Sequence, residues 1–171
     1  MFIIIHSIIK IPIKVNNRKD FLTMKTAVIY FSKHHGNTKK VLDYICRGND
    51  IKLINAAEIK SENLEEYDLV GFASGIYYSK FHKSVIKFAE ENLPENKKVF
   101  FIFTYGALKE GYTKSIREAV SKKSADILGE FGCYGFDTFG PFKLIGGIAK
   151  GHPDRFDYEN AANFFNEIKN E

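Results

Sequence analysis

The chain has 171 residues, 44% hydrophobic and 27% charged, enough for one domain with a sizeable core and ordinary for a soluble globular protein. Its formal charge of +4 is uneven: residues 1–23 hold four basic side chains against Asp20, a net of 4 − 1 = +3, which leaves 4 − 3 = +1 for the remainder. That balance argues against a nucleic-acid partner, and the two cysteines, Cys46 and Cys133, follow no ligand spacing and read as reduced thiols.

The first stretch, "MFIIIHSIIKIPIKV", is apolar but interrupted by His6, Ser7, Lys10 and Pro12. It falls short of the ~20 residues that span a bilayer, and it lacks a basic n-region and a small-residue cleavage site. Met24 stands directly before a good first strand. The expectation is therefore a non-core extension over 1–23, with Met24 as the natural start and a single domain over 24–171. A membrane-surface anchor is the alternative for 1–23.

Residues 26–31, "TAVIYF", predict a buried strand, and 38–47 a helix with Val41, Leu42 and Ile45 on one face. Strands follow at 51–56 and 67–74. Residues 82–92 predict a helix through Val85, Ile86, Phe88 and Ala89, broken by Pro94 and Asn96. Residues 98–106, "KVFFIFTYG", form the most apolar strand. A helix over 112–128 carries Ile116, Ala119, Val120, Ile127 and Leu128, and "CYGFDTFG" (133–140) reads as a fifth strand. A closing helix over 154–169 starts at Pro153 and Asp154.

Strands that alternate with helices and are apolar on both faces predict an α/β fold, a parallel sheet covered on both sides. Right-handed crossovers leave few topologies. Five strands in this order suit a doubly wound three-layer sandwich of order 2-1-3-4-5, whose ligand sits beyond the carboxyl ends of the strands. The informative residues are then 32–38, 74–81, 104–112 and 138–152.

The first of these, Ser32-Lys33-His34-His35-Gly36-Asn37-Thr38, links strand to helix. A helix start offers unpaired N–H groups and a partial positive charge, and anions bind there. Gly36 lets the backbone approach a ligand, Ser32 and Thr38 supply hydroxyls, and Asn37 can bridge or cap. Neither a Walker loop nor a Gly-x-Gly-x-x-Gly turn is present. Adjacent histidines point apart, and His6, His82 and His152 fall at no matching spacing, so no metal site is expected.

Ser32-x-His34-x-Gly36-Asn37-Thr38 resembles the phosphate-binding loop of flavodoxins, (Ser/Thr)-x-Thr-x-Gly-Asn-Thr, which holds the FMN phosphate. His34 departs from it, standing where a hydroxyl is usual, although an imidazole N–H can replace that contact. His35-Gly36-Asn37-Thr38 also echoes the Arg-His-Gly-Glu-Thr signature of histidine phosphatases, but the arginine which that chemistry needs is missing. The flavodoxin resemblance covers Lys25 to the C-terminus. It implies that Lys33 and His35 also belong to the cofactor loop. It places Ser74, Gly75, Ile76, Tyr77 and Tyr78 at the flavin ring, with Phe81 as a further aromatic face. The Gly75–Ile76 peptide would flip so that its carbonyl meets the flavin N5 hydrogen. Thr104, Tyr105 and Gly106 match the loop that reaches the pyrimidine edge. Residues 139–147, glycine-rich and partly apolar, read either as a lid or as a packed surface loop.

FMN carries the redox chemistry in such proteins, so no catalytic side chain is expected. The strand-end loops hold Lys33, Lys39, Lys80, Lys83, Lys109, Lys143 and Lys150, besides three histidines, against Glu110. Nearby cations favour the anionic reduced flavin, which predicts a potential less negative than that of an acidic flavodoxin. The same rim suits acidic redox partner proteins or an anionic substrate such as NAD(P)H. Three functions follow: an electron carrier between proteins, which is preferred; an FMN-dependent oxidoreductase of the NAD(P)H:quinone reductase or protoporphyrinogen oxidase type; or a non-redox domain on the same fold. A cytoplasmic monomer or homodimer is expected.

Overall fold

The computed structural model describes residues 24–170, so the proposed extension 1–23 lies outside the described residues. The chain runs β1 (Thr26–Phe31), α1 (Asn37–Ile45), β2 (Ile51–Asn55), β3 (Leu69–Tyr77), β4 (Lys80–Phe81), α2 (Lys83–Asn92), β5 (Lys98–Tyr105), α3 (Lys114–Ser121), β6 (Asp126–Tyr134) and α4 (Arg155–Ile168). A 3₁₀ helix spans Gly140–Ile145. The sheet order is β2-β1-β3-β5-β6, with β4 pairing β3 antiparallel off this path. The five long strands are parallel, which is the expected 2-1-3-4-5 order, with the short β4 added.

Side-chain alternation splits the core in two. Ala27, Ile29, Val70, Phe72, Val99 and Phe101 face α2 and α3, while Val28, Leu69, Ala73, Phe100 and Ile102 face α1 and α4. β3 and β5 are central and buried on both faces, so they read as continuous apolar runs. Gly71 of β3 lies under the Phe100 ring, where an added Cβ would stand 2.5 Å from it. Among the described residues no helix is long and apolar enough to cross a membrane.

Two sequence expectations fail together. The helix expected over 112–128 stops at Ser121, and the strand expected over 133–140 is found at Asp126–Tyr134. Lys122, Lys123 and Ser124 turn the chain, with Ser124 in the left-handed region (φ 51°). Ile127 and Leu128 then enter the sheet beside β5. Their spacing from Ile116 and Val120 fits a helix face, but cross-strand pairing with Val99 and its neighbours takes them.

Candidate functional site

The carboxyl ends of β1, β3, β5 and β6 converge on a cleft enclosing about 560 Å³, part of it open to solvent. In the first loop, His35 (φ 53°) and Gly36 (φ 67°) are successive left-handed residues that turn the chain into α1. No side chain caps this helix. Ser32 Oγ accepts the Lys39 N–H at 3.2 Å, while the N–H groups of His35 to Thr38 find no acceptor among the described residues. A Cβ at Gly36 would meet nothing within 4 Å, so the turn is open above. Free amides at the start of a helix, beside an unobstructed glycine, are an anion site in search of its anion.

This loop is fixed to two others. Thr38 and Thr104 share a buried hydroxyl–hydroxyl bond of 2.9 Å. Asn37 Nδ2 donates to the Phe136 carbonyl at 2.8 Å, leaving its buried Oδ1 without a partner. His35 Nε2 pairs with Thr138 Oγ1 at 2.9 Å, and its ring lies 4.5 Å from that of Phe136. Gly135 is required by the same contact: a Cβ there would reach Asn37 Nδ2 at 2.7 Å.

After β3, Gly75, Ile76, Tyr77 and Tyr78 line the cleft, but Ser74 does not. Ser74 is fully buried, donating to the Gly75 carbonyl at 2.6 Å and accepting the His82 N–H at 3.0 Å. Phe81 is also fully buried, packed against Phe101 and Phe103, and so belongs to the core rather than to the site. Tyr77 folds back over Gly75, where a Cβ would stand 3.3 Å from its ring. Its hydroxyl accepts the Lys33 N–H at 3.2 Å. Burial pushes the Tyr77 phenol up, so it keeps its proton at neutral pH and can donate it onward. Tyr78 (φ 50°) stands exposed at the mouth, edge to face with Phe139 at 5.7 Å.

Thr104, Tyr105 and Gly106 form the next wall. A Cβ at Gly106 would lie 2.6 Å from Asp137, so the glycine is what lets that carboxylate in. Gly135, Phe136, Asp137 and Phe139 complete the lining; the sequence analysis took Phe139 into the lid-or-surface-loop segment 139–147 and placed the other three nowhere at the site. Asp137 Oδ1 accepts the Phe139 N–H at 2.7 Å. Of the expected residues, Ser32, His34, Asn37 and Thr38 line the cleft, while Lys33, His35 and Gly36 stand behind it as loop backbone or clasp. None of the rim lysines lines it, so the one formal charge in the wall is negative.

The residues present fit a flat cofactor that ends in a phosphate. Free amides and hydroxyls lie at one end, a mostly aromatic slot at the other, and backbone groups of residues 75–76 and 104–106 border it.

Residues 27–135, more than half of the chain, match the flavodoxin domain. The chain belongs to the flavodoxin domain family. An uncharacterized protein of Methanocaldococcus jannaschii is 40% identical over 147 residues, covering 85% of this chain and 98% of its own. Among solved structures, a flavodoxin from the domain Archaea superposes with a TM-score of 0.60 at 20% identity, over 85% of this chain and 99% of that one. The rubredoxin oxygen:oxidoreductase of the anaerobe Desulfovibrio gigas gives 0.64 at 16% identity, over 86% of this chain but 36% of that longer one. These structural likenesses carry the fold. The match to the flavodoxin domain ends at Gly135, so it takes in the first three loops and leaves the fourth, with Asp137 and Phe139, outside.

Proposed function

We propose that this flavodoxin binds FMN and carries electrons between partner proteins. The observation that carries the reading is the set of unpaired amides at residues 35–38, at the start of α1 beside a cleft walled by aromatic rings. In this reading the N–H groups of the first loop, with the hydroxyls of Ser32 and Thr38, hold the phosphate. His34, between Tyr77 and Phe139 at 5.9 Å from each, lies at the same end. Tyr77 supplies the phosphate-end hydroxyl that residue 34 lacks, because its oxygen already sits on the Lys33 amide. Residues 75–76 and 104–106 border the ring. When bound, FMN supplies the redox chemistry, and the protein orients it and sets its potential.

The test is a titration of the purified protein with FMN, followed by visible absorbance and flavin fluorescence. Saturable one-to-one binding with quenched fluorescence, and weaker binding of riboflavin, is the expected result. A protein that stays colourless and leaves FMN fluorescence unquenched would rule the reading out. Sustained NAD(P)H-dependent quinone turnover by the loaded protein would move the assignment from carrier to oxidoreductase.

A further inference from the structure

Most of the large apolar side chains exposed among the described residues lie at one end of the sheet. Tyr78, Leu108, Phe139, Leu144 and Ile145 are 83%, 71%, 50%, 90% and 68% exposed and lie in the loops after β3, β5 and β6, while Phe156 on α4, Ile59 and Tyr134 are the exposed ones outside those loops. The loop residues share the sheet edge that bears the cleft. The 3₁₀ helix Gly140–Ile145 buries none of its residues, yet it is firmly held at its base. The Gly147 N–H donates to the Phe142 carbonyl at 2.7 Å, and Asp137 and Ile148 exchange backbone bonds. A pinned element that holds leucine and isoleucine in water marks a surface built to meet something.

The same loops carry charge. Lys33, Lys80, Lys109, Lys143 and Lys150 are exposed, and each of the four cleft loops contributes at least one. None is paired with a carboxylate among the described residues; of the thirteen other lysines there, seven are paired (Lys25, Lys39, Lys52, Lys87, Lys97, Lys122 and Lys123) and six are not. Glu110 is the opposing charge on the rim. Exposed apolar side chains and charge of one sign carried on the same loops are the makings of a transient, electrostatically steered protein contact.

We infer that the cleft mouth, with the 140–145 helix as its lip, is the docking surface for an acidic electron-transfer protein. The inference rests on the redox reading above. A dinucleotide is the other anion such a rim could take, and the arrangement disfavours it. Dinucleotide phosphates are held by focused backbone nests or by arginine forks. Arg117 and Arg155 are already bonded to Glu130 and Glu159, and Arg47 stacks on Tyr44 beyond the far end of α1. Five lysines spread over four loops match an extended carboxylate surface instead. The lip also lies beyond the span that matches the flavodoxin domain.

The experiment uses the full chain, loaded with FMN, and measures binding of an acidic two-cluster ferredoxin by calorimetry at 20 and 300 mM NaCl. Basic cytochrome c is the opposite-charge control, and NADPH is the small-anion arm. Ferredoxin should bind at low salt, weaken at least tenfold at high salt, and exceed cytochrome c at both. The pair Lys143→Glu and Lys150→Glu should cost at least tenfold in affinity and flatten the salt dependence. The pair Leu144→Ser and Ile145→Ser should cost a similar factor and leave the salt dependence as it was. All four positions are exposed, and near-ultraviolet circular dichroism checks the fold. Absence of ferredoxin binding, binding indifferent to both pairs, or NADPH binding lost with the lysines in place of ferredoxin binding would each overturn the inference. FMN affinity of the same variants is read separately. A parent chain that binds no FMN would sink the cofactor reading and this inference with it, whereas FMN binding without docking would sink this one alone.

Discussion

Tyr77 is where a single atom separates two roles. The sequence offers it as an aromatic face for the flavin ring, while the structure puts its hydroxyl on the Lys33 amide, in the loop proposed to hold the phosphate. A hydrogen bond to a charged group contributes about 1.5–3 kcal/mol. Tyr77→Phe keeps the ring and removes the donor, so FMN affinity should fall roughly ten- to a hundredfold while riboflavin affinity stays put. Parallel fluorescence titrations decide, and an equal loss for both ligands would return Tyr77 to a stacking role. His82 makes a second prediction. Its Nδ1 receives the Ser84 N–H as the N-cap of α2, and its ring stacks on Phe31 at 3.6 Å. Burial, then the charges of Lys83 and Lys33, lowers its pKa. A folded pKa below the unfolded value of about 6.5 means stability that is complete above that pH and is lost as pH falls through the lower, folded value. His82→Gln should therefore lose less of its urea midpoint between pH 7 and pH 5 than the parent protein does. The first loop's place beside the cleft was legible because its signal is local: a glycine, hydroxyls and an amide at fixed offsets after a strand. Asp137 was not, because its place in the cleft depends on where β6 ends.

At the scale of elements, alternation gives the parallel sheet and the doubly wound pattern its order, and the boundary between α3 and β6 is what alternation misjudges. Five apolar positions at helical spacing run from Ile116 to Leu128, and a window over them cannot register that Lys122–Ser124 turns the chain. Gly129 and Gly132 carry the missing signal. Each lies in β6 under a ring, Phe164 and Phe103 respectively, and two glycines three apart suit a strand crossed by aromatics better than a helix interior. Once the strand is moved to 126–134, Gly135–Phe139 falls past its carboxyl end, where the cleft needs a wall. The same packing rule predicts a cost at the centre of the sheet. In β3, Gly71 leaves room for the Phe100 ring, and a Cβ at 2.5 Å forces a buried aromatic to shift against α4. Gly71→Ala should destabilise the fold by about 1–3 kcal/mol, seen as a lower urea midpoint with an unchanged slope. A midpoint equal to the parent's would mean that this side of the core yields freely.

For the molecule as a whole, the balance of charge around the cleft decides the potential of bound flavin. Composition suggested a cationic site and a comparatively high potential. The fold keeps the lysines at the rim, in water, where each interaction is screened within about 8–10 Å at moderate salt. It brings one carboxylate, Asp137, into the wall against Gly106. A charge inside a partly desolvated cleft acts through a lower effective dielectric than an exposed one at similar distance. Asp137 should therefore outweigh any single rim lysine. Asp137→Asn preserves the oxygen that accepts the Phe139 N–H and removes only the charge. It should raise the midpoint potential of the FMN-loaded protein by an amount on the order of tens of millivolts, and the increase should persist in 0.5 M NaCl. Lys143→Gln should lower the potential by less, and that shift should vanish at the same salt concentration. A spectroscopic redox titration of the three proteins at both salt concentrations distinguishes the two effects. If Asp137→Asn leaves the potential unchanged while Lys143→Gln moves it, the rim governs the cofactor and the reading from composition was the better guide.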